Sequence, residues 1–136
     1  GDWSSDVCSS DLGPSGEWFV AARFVFEAGD GRAARARIRE LLAQRSRAQP
    51  MGTKSCGSVF RNPPGDHAAR LIEDTGLKGT SIGGAAVSDK HANFIINRGD
   101  ATAADVEALI ERVGAEVERR TGIRLQPEVR VVGEPA

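Results

Sequence analysis

Between residues 55 and 65 the chain reads Ser55-Cys56-Gly57-Ser58-Val59-Phe60-Arg61-Asn62-Pro63-Pro64-Gly65. Small, polar and turn-forming residues crowd together there, just ahead of a segment that reads as a capped helix. The backbone N–H groups of such a loop, with Arg61 beside them, suit an anion. A Gly/Pro-rich connector would have the same composition. A second basic feature lies upstream, where Arg32, Arg35, Arg37, Arg39, Arg45 and Arg47 share one helical segment with Glu40 as its only acid. That face could meet an anion, or it could simply be solvated, since no aromatic residues interleave with the arginines. His67 and His91 stand 24 residues apart, and neither has a Cys or His neighbour at ligand spacing, so no metal site is expected.

Familiar catalytic strings do not account for the loop. Cys56-Gly57-Ser58 shares its first residues with the thiol-protease pattern C-G-S-C-W, but Val59 stands where the nucleophile belongs. Ser58 is not within G-x-S-x-G, so no nucleophile elbow is present. No dinucleotide-binding glycine pattern or Walker sequence occurs, and Ile82-Gly83-Gly84-Ala85 is too short and generic to stand for one.

The elements that must position these residues can be read from periodicity. Trp18 to Phe26 alternates with both faces largely apolar, which predicts a strand inside a layered sheet. Ala28-Gly29-Asp30-Gly31 makes a turn, and a helix is predicted from about Arg32 to Arg47, with Ala34, Ile38, Leu41, Leu42 and Arg45 on one stripe. Gln49 to Gly65, broken by Pro50, Pro63 and Pro64, carries little secondary-structure signal. A short helix follows from Asp66 to about Thr75, with Asp66 as N-cap and Gly76 just past its end. Ile82–Val87 and Asn93–Asn97 read as strands. The clearest helix opens on Thr102-Ala103-Ala104-Asp105, a capping-box variant, and carries Val106, Leu109, Ile110, Val113 and Val117 on one face until Gly122. A last strand is predicted over Glu128–Val132. There are no internal repeats and no low-complexity tract.

Composition bounds the function classes. Eighteen Lys+Arg against nineteen Asp+Glu leave a formal charge of −1, which argues against a protein built to coat nucleic acid or an anionic membrane. With 40% hydrophobic and 27% charged residues, a chain of 136 residues is apolar enough to own a core. No apolar run approaches a membrane span. Two cysteines, Cys8 and Cys56, are too few for a disulfide scaffold and fit a reducing compartment. Residues 1–12, GDWSSDVCSSDL, have no basic start, no apolar stretch and no periodicity, and read as a non-native scar; a native disordered terminus would look similar.

Taken in order, several motifs resemble one family. Ser55 to Pro63 is similar to the active-site serine segment of the UDP-N-acetylenolpyruvoylglucosamine reductases, also called UDP-N-acetylmuramate dehydrogenases (the MurB family). The resemblance continues through Ala69-Arg70-Leu71-Ile72-Glu73, Gly76-Leu77-Lys78-Gly79, Ile82-Gly83-Gly84-Ala85 and Lys90-His91-Ala92-Asn93-Phe94-Ile95-Ile96-Asn97, and ends at Pro127-Glu128-Val129-Arg130. It spans Trp18 to Gly133.

The resemblance implies a cytoplasmic flavoenzyme of peptidoglycan precursor synthesis, monomeric in its parent form. NADPH reduces FAD, and hydride then passes to the enolpyruvyl double bond of a UDP-sugar substrate, UDP-N-acetylglucosamine enolpyruvate. By the same resemblance Ser58 is the proton donor to the resulting carbanion, Glu128 helps stabilise the enol intermediate, Asn62 and Arg61 bind substrate, and His91 makes a polar substrate contact. Hydride addition β to a carboxylate leaves charge delocalised into that carboxylate, so hydrogen-bond donors must be in place before the proton arrives. A serine hydroxyl is a poor acid in water, but a very basic carbon asks for position more than acidity. Glu128 can help only if protonated or bridged by a cation, because two bare carboxylates repel.

The resemblance also implies an α+β fold, a small mixed sheet with helices packed on it. Residues 50–136 would be the substrate-binding C-terminal domain. Residues 13–49 would be the closing strand and helix of a truncated FAD-binding domain, whose other parts hold the cofactor. On this reading the chain alone should neither hold FAD tightly nor turn over. The alternative is a free-standing, non-catalytic α+β module that binds a nucleotide-sugar or another anion.

Overall fold

The structure, a computed structural model, describes residues 20–133. The stretch expected to be non-native, residues 1–12, lies outside them, as do Trp18 and Phe19. The chain divides into two compact units, Gly1–Leu41 and Leu42–Ala136.

In the first unit, residues 20–30 form no strand, contrary to the expectation for Trp18–Phe26. Val20, Phe24, Val25 and Phe26 are exposed, and Phe24 stacks on Phe26 with ring centroids 6.3 Å apart. Alternation says where side chains would point in a strand. It does not supply the neighbouring backbone that must take up each N–H and C=O, and no described strand does so here. Helix α1, Gly31–Ala48, follows as expected. Asp30 caps it, its Oδ1 accepting from the N–H of Arg32 at 2.8 Å and of Ala33 at 3.3 Å. None of the residues of α1 is buried, its Ile38, Leu41 and Leu42 included.

The second unit is α+β, as the sequence implies. Its remaining elements are β1 (Ser55–Ser58), α2 (Ala68–Asp74), β2 (Ser81–Ile82), β3 (Ala85–Val87), β4 (Phe94–Asn97) and α3 (Ala103–Thr121). The four strands form one sheet in the order β1-β4-β3-β2. Every pairing is antiparallel, so the sheet is not the mixed one expected. The reason is connection length: Gly83-Gly84 joins β2 to β3 and residues 88–93 join β3 to β4, too short for a parallel crossover.

Several local expectations shift with it. Ile82–Val87 is a hairpin rather than one strand, turning at Gly83-Gly84, a pair that suits a two-residue hairpin turn. Gln49–Gly65 is not structureless, because β1 lies within it. Glu128–Val132 forms no strand; a single bridge, Phe60 opposite Pro127, stands at its start. Pro127 lacks an N–H, and it sits where none is needed: the two bonds of the bridge run from the N–H of Arg61 to the C=O of Gln126 at 2.9 Å and from the N–H of Glu128 to the C=O of Val59 at 2.8 Å.

Helix α2 begins at Ala68, after the expected Asp66 cap. The Asp66 carboxylate is taken instead by the Arg70 guanidinium and the His67 N–H, which hold its pKa down to about 2. Helix α3 matches its sequence signals. Thr102 Oγ1 accepts from Asp105 N–H at 3.1 Å, and the Asp105 carboxylate accepts from Thr102 N–H at 2.9 Å. Leu109, Val113 and Val117 are buried, and Gly122 closes the helix. The α3 stripe packs across β2 and β3 and against α2, and the core gathers Val59, Phe60, Leu71, Ile72, Val87 and Ile95 around it. Among the described residues no helix is long and apolar enough to cross a membrane.

Candidate functional site

The sheet edge that carries Ser58 is irregular. Ser55 pairs with Ile96 and Ser58 with Phe94, so β1 spends three steps where β4 spends two. One extra residue on one strand is a β-bulge. Gly57 supplies the conformation, with φ at 81°, a region that glycine enters at little cost. The consequence is a change of parity. In regular pairing Gly57 would lie opposite Phe94 and Ser58 would turn to the other face. With the bulge, Ser58 stands opposite Phe94 and shares its face. His91 belongs to the same neighbourhood, its ring meeting Phe94 edge-on at 4.9 Å and 70°. Ser58 is exposed, and among the described residues its hydroxyl has no hydrogen-bond partner.

The other candidate residues follow Ser58 or face the segment that does. Glu128 lies seventy residues downstream, yet its N–H bonds the C=O of Val59, the residue after Ser58. Its carboxylate belongs to an exposed residue. Arg61 is exposed, with its own N–H in the same bridge. Asn62, expected to meet substrate, has one end committed elsewhere: its Oδ1 accepts the Ala68 N–H at 3.0 Å and caps α2 from six residues upstream. Its amide N–H groups remain as donors. The structure therefore gathers Ser58 and His91 around Phe94, and ties Arg61 and Glu128 to the backbone that continues from Ser58.

Sequence reasoning missed the residue that holds this arrangement. Asn93 is buried, at 4% exposure. Its Oδ1 accepts the Phe60 N–H at 2.9 Å, its Nδ2 donates to the Phe60 C=O at 2.8 Å, and its own backbone C=O accepts the Val59 N–H at 2.9 Å. The available signal was a lone Asn opening an apolar run, Asn93 before Phe94-Ile95-Ile96; a buried amide there needs partners.

His91 is half-buried, and its Nδ1 accepts the Asn93 N–H at 3.3 Å, which leaves Nε2 to carry the proton of the neutral ring. Burial pushes its pKa below the usual histidine value, the Lys78 charge adds to that, and the Glu73 charge and its own backbone oppose it. The folded state thus disfavours the imidazolium that the unfolded chain accepts at about pH 6.5. As pH falls through that value the unfolded state binds the extra proton and stability drops, the loss ceasing to grow below the lowered folded pKa. His91→Gln should therefore show a shallower fall in melting temperature than the parent between about pH 7 and 5. Parallel melting-temperature curves for the two would remove this account of His91.

Among the described residues no group of three His, Cys, Asp or Glu side chains could hold a metal ion. Two cavities border α3. One, about 280 Å³, lies between Phe60, Ile110, Gly114, Leu125 and Pro127, and another, about 420 Å³, lies between Thr75, Leu77, Arg112, Arg119 and Arg120. Neither is lined by Ser58, Arg61, Asn62 or Glu128.

Comparison with known proteins points to one family. A family model described as UDP-N-acetylenolpyruvoylglucosamine reductase, C-terminal domain, matches residues 49–132. The chain is 66% identical over 122 residues to the UDP-N-acetylenolpyruvoylglucosamine reductase of Alkalilimnicola ehrlichii, covering 90% of this chain and 41% of that protein. It is 64% identical over 122 residues to the enzyme of that name from Methylococcus capsulatus, covering 90% and 40%. The crystal structure of UDP-N-acetylenolpyruvylglucosamine reductase from Thermus caldophilus superposes with a TM-score of 0.61 at 39% identity, over 73% of this chain and 34% of that one. The chain spans about two fifths of the length of these curated relatives.

Proposed function

The chain belongs to the UDP-N-acetylenolpyruvoylglucosamine reductase family through the C-terminal domain of those enzymes, and on that premise we propose that residues 50–136 are the substrate side of such a reductase. The reaction assigned is conversion of UDP-N-acetylglucosamine enolpyruvate to UDP-N-acetylmuramate for peptidoglycan, in the cytoplasm, with residues 13–49 belonging to the flavin domain. FAD, if bound and reduced by NADPH, would supply the hydride. The cavities along α3 are not lined by the candidate residues.

What they do is bind, orient and deliver a proton. Once hydride has reached the enolpyruvyl carbon, negative charge spreads into the substrate carboxylate. Asn62, through its amide N–H groups, and Arg61 hold that carboxylate by hydrogen bonds and charge. Ser58 gives its hydroxyl proton to the adjacent carbon, forming the new C–H bond, and is reprotonated from solvent, to which it is open. Glu128 stabilises the enol form where a proton or a cation lies between it and the substrate carboxylate, because two bare carboxylates repel. His91, with its proton on Nε2, donates to a polar group of the UDP-sugar.

The observation that supports this reading most directly is the bulge at Gly57, which turns Ser58 onto the Phe94 and His91 face while the next residue is bonded to Glu128. A chimera tests it. Residues 49–132 should replace the matching segment of the Alkalilimnicola ehrlichii protein with retention of NADPH oxidation that depends on the enolpyruvyl UDP-sugar. A chimera that takes up FAD and is reduced by NADPH, yet is not reoxidised by that substrate, would refute the reading and favour a non-catalytic anion-binding module.

A further inference from the structure

We propose that Asn93 is the positioning residue that holds Ser58 where it can deliver its proton; this rests on the reading of Ser58 given above. The case begins with the bridge at Phe60. Because Phe60 and Pro127 form a pair bonded only through their neighbours, the N–H and C=O of Phe60 point away from Pro127 and have no ladder partner there. Phe60 is 3% exposed, so water cannot serve them. The Asn93 amide answers both, accepting at 2.9 Å and donating at 2.8 Å. With the Val59 N–H held by the Asn93 C=O at 2.9 Å, three bonds from one residue grip the two residues that follow Ser58.

The bulge makes that grip matter. A strand with an extra residue can relax by slipping one place, and a slip returns Ser58 to the opposite face. The edge at Ser55 is exposed, and the bond there, from the Asn97 N–H to the Lys54 C=O at 2.8 Å, lies on the far side of the bulge from Ser58. Asn93 is bonded only to the side on which Ser58 is correct, and its N–H links it to His91 at 3.3 Å, so one buried amide connects the proton donor, a substrate contact and the Glu128 segment.

An aspartate substitution separates positioning from bulk. Asn93→Asp keeps the shape and the acceptor for the Phe60 N–H. As a carboxylate it cannot donate to the Phe60 C=O; as a neutral acid it can. In a full-length reductase carrying this domain, Asn93→Asp should leave flavin reduction by NADPH unchanged. It should slow reoxidation by the enolpyruvyl UDP-sugar at least about tenfold at about pH 8, relative to the parent at that pH. The ratio should return toward one at about pH 5.5, as the carboxyl takes up a proton and regains its donor. In the Ser58→Ala background the same substitution should cost little more, because the group it positions is gone. In this chain alone, Asn93→Asp should speed amide hydrogen exchange at Val59, Phe60 and Glu128 at least about tenfold at neutral pH while leaving the α3 amides protected.

Loss of both half-reactions alike, or a deficit that does not depend on pH, would overturn the proposal. So would faster exchange across the whole second unit. If the aspartate variant does not fold, Asn93→Ser, smaller and lacking the amide reach, must show the same split between half-reactions or the proposal fails. Should Ser58→Ala leave reoxidation unchanged, the reading of Ser58 falls instead; slow reoxidation in Ser58→Ala with normal reoxidation in Asn93→Asp removes only the role given to Asn93.

Discussion

Replacing Ser58 by alanine in a full-length reductase carrying this domain is expected to leave reduction of the flavin by NADPH intact. Reoxidation by the enolpyruvyl UDP-sugar is expected to slow by about a hundredfold or more, the scale for losing a positioned acid, equivalent to about 2.7 kcal/mol of barrier. The two half-reactions differ in what they ask of this domain. The first needs no proton on the substrate carbon. The second leaves a carbanion that must be protonated before product forms. The hydroxyl lies on an exposed edge residue and touches nothing that the fold requires among the described residues, so its removal should not disturb the core. Because the hydroxyl acts on a charge present only in the later step, kcat and kcat/KM should fall together and substrate affinity should hold within about threefold. Stopped-flow flavin absorbance reads both half-reactions separately. Unchanged reoxidation would remove Ser58 as the donor, and equal loss in both would point to damage of the fold.

The second large effect is structural. Gly84 ends the β2–β3 turn and is buried against the chain leading into α3. A Cβ built on it would come within 2.4 Å of the Ala101 backbone nitrogen and of Asp100 Oδ1, and 2.7 Å of the Asp100 carbonyl carbon. These are largely backbone atoms and cannot step aside as a flexible side chain would. The Gly84 C=O also accepts the Arg98 N–H at 2.9 Å. Gly84→Ala must therefore push the hairpin off the start of α3, and should cost roughly 2–3 kcal/mol, which for a unit of this size lowers the melting temperature by roughly 10–20 °C. Gly114 provides the contrast. Its Cβ would meet only the Phe60 ring at 3.7 Å, an ordinary contact. As a glycine inside a helix it should tolerate alanine, with a gain of up to about 1 kcal/mol. Thermal melts that moved the same way by the same amount for Gly84→Ala and Gly114→Ala would show that backbone approach at the hairpin is not what selects glycine.

Local physics made some of this molecule legible. The Thr102–Asp105 capping box, the Leu109-Val113-Val117 stripe and Gly122 each act within a turn or two of chain, and α3 forms where they say. Helix α1 likewise follows from its own pattern and the Asp30 cap. The Gly83-Gly84 pair carried a hairpin signal, but the flanking segments are so short, two residues in β2 and three in β3, that the run reads as a single apolar strand. The strand expected at Trp18–Phe26 shows the opposite limit. Val20, Phe24 and Phe26 have the right spacing, yet spacing gives no hydrogen-bond partner, and residues 20–30 form no ladder.

By itself the sequence determined the residue types of the candidate site, the two long helices, the cap of α3 and the family resemblance through Ser55–Pro63, Lys90–Asn97 and Pro127–Arg130, which in turn implied the α+β class. All of these depend on residues near one another in the chain. Tertiary structure alone decided which of the residues meet. Ser58 and Glu128 are seventy positions apart, and only the Phe60–Pro127 bridge brings their backbones together. The side of the sheet on which Ser58 stands depends on one extra residue counted against β4, a register that exists only between strands. Asn62 turned out to cap α2, and Asn93 to hold Phe60, because buried N–H and C=O groups take the nearest partner that the fold, rather than the chain, supplies.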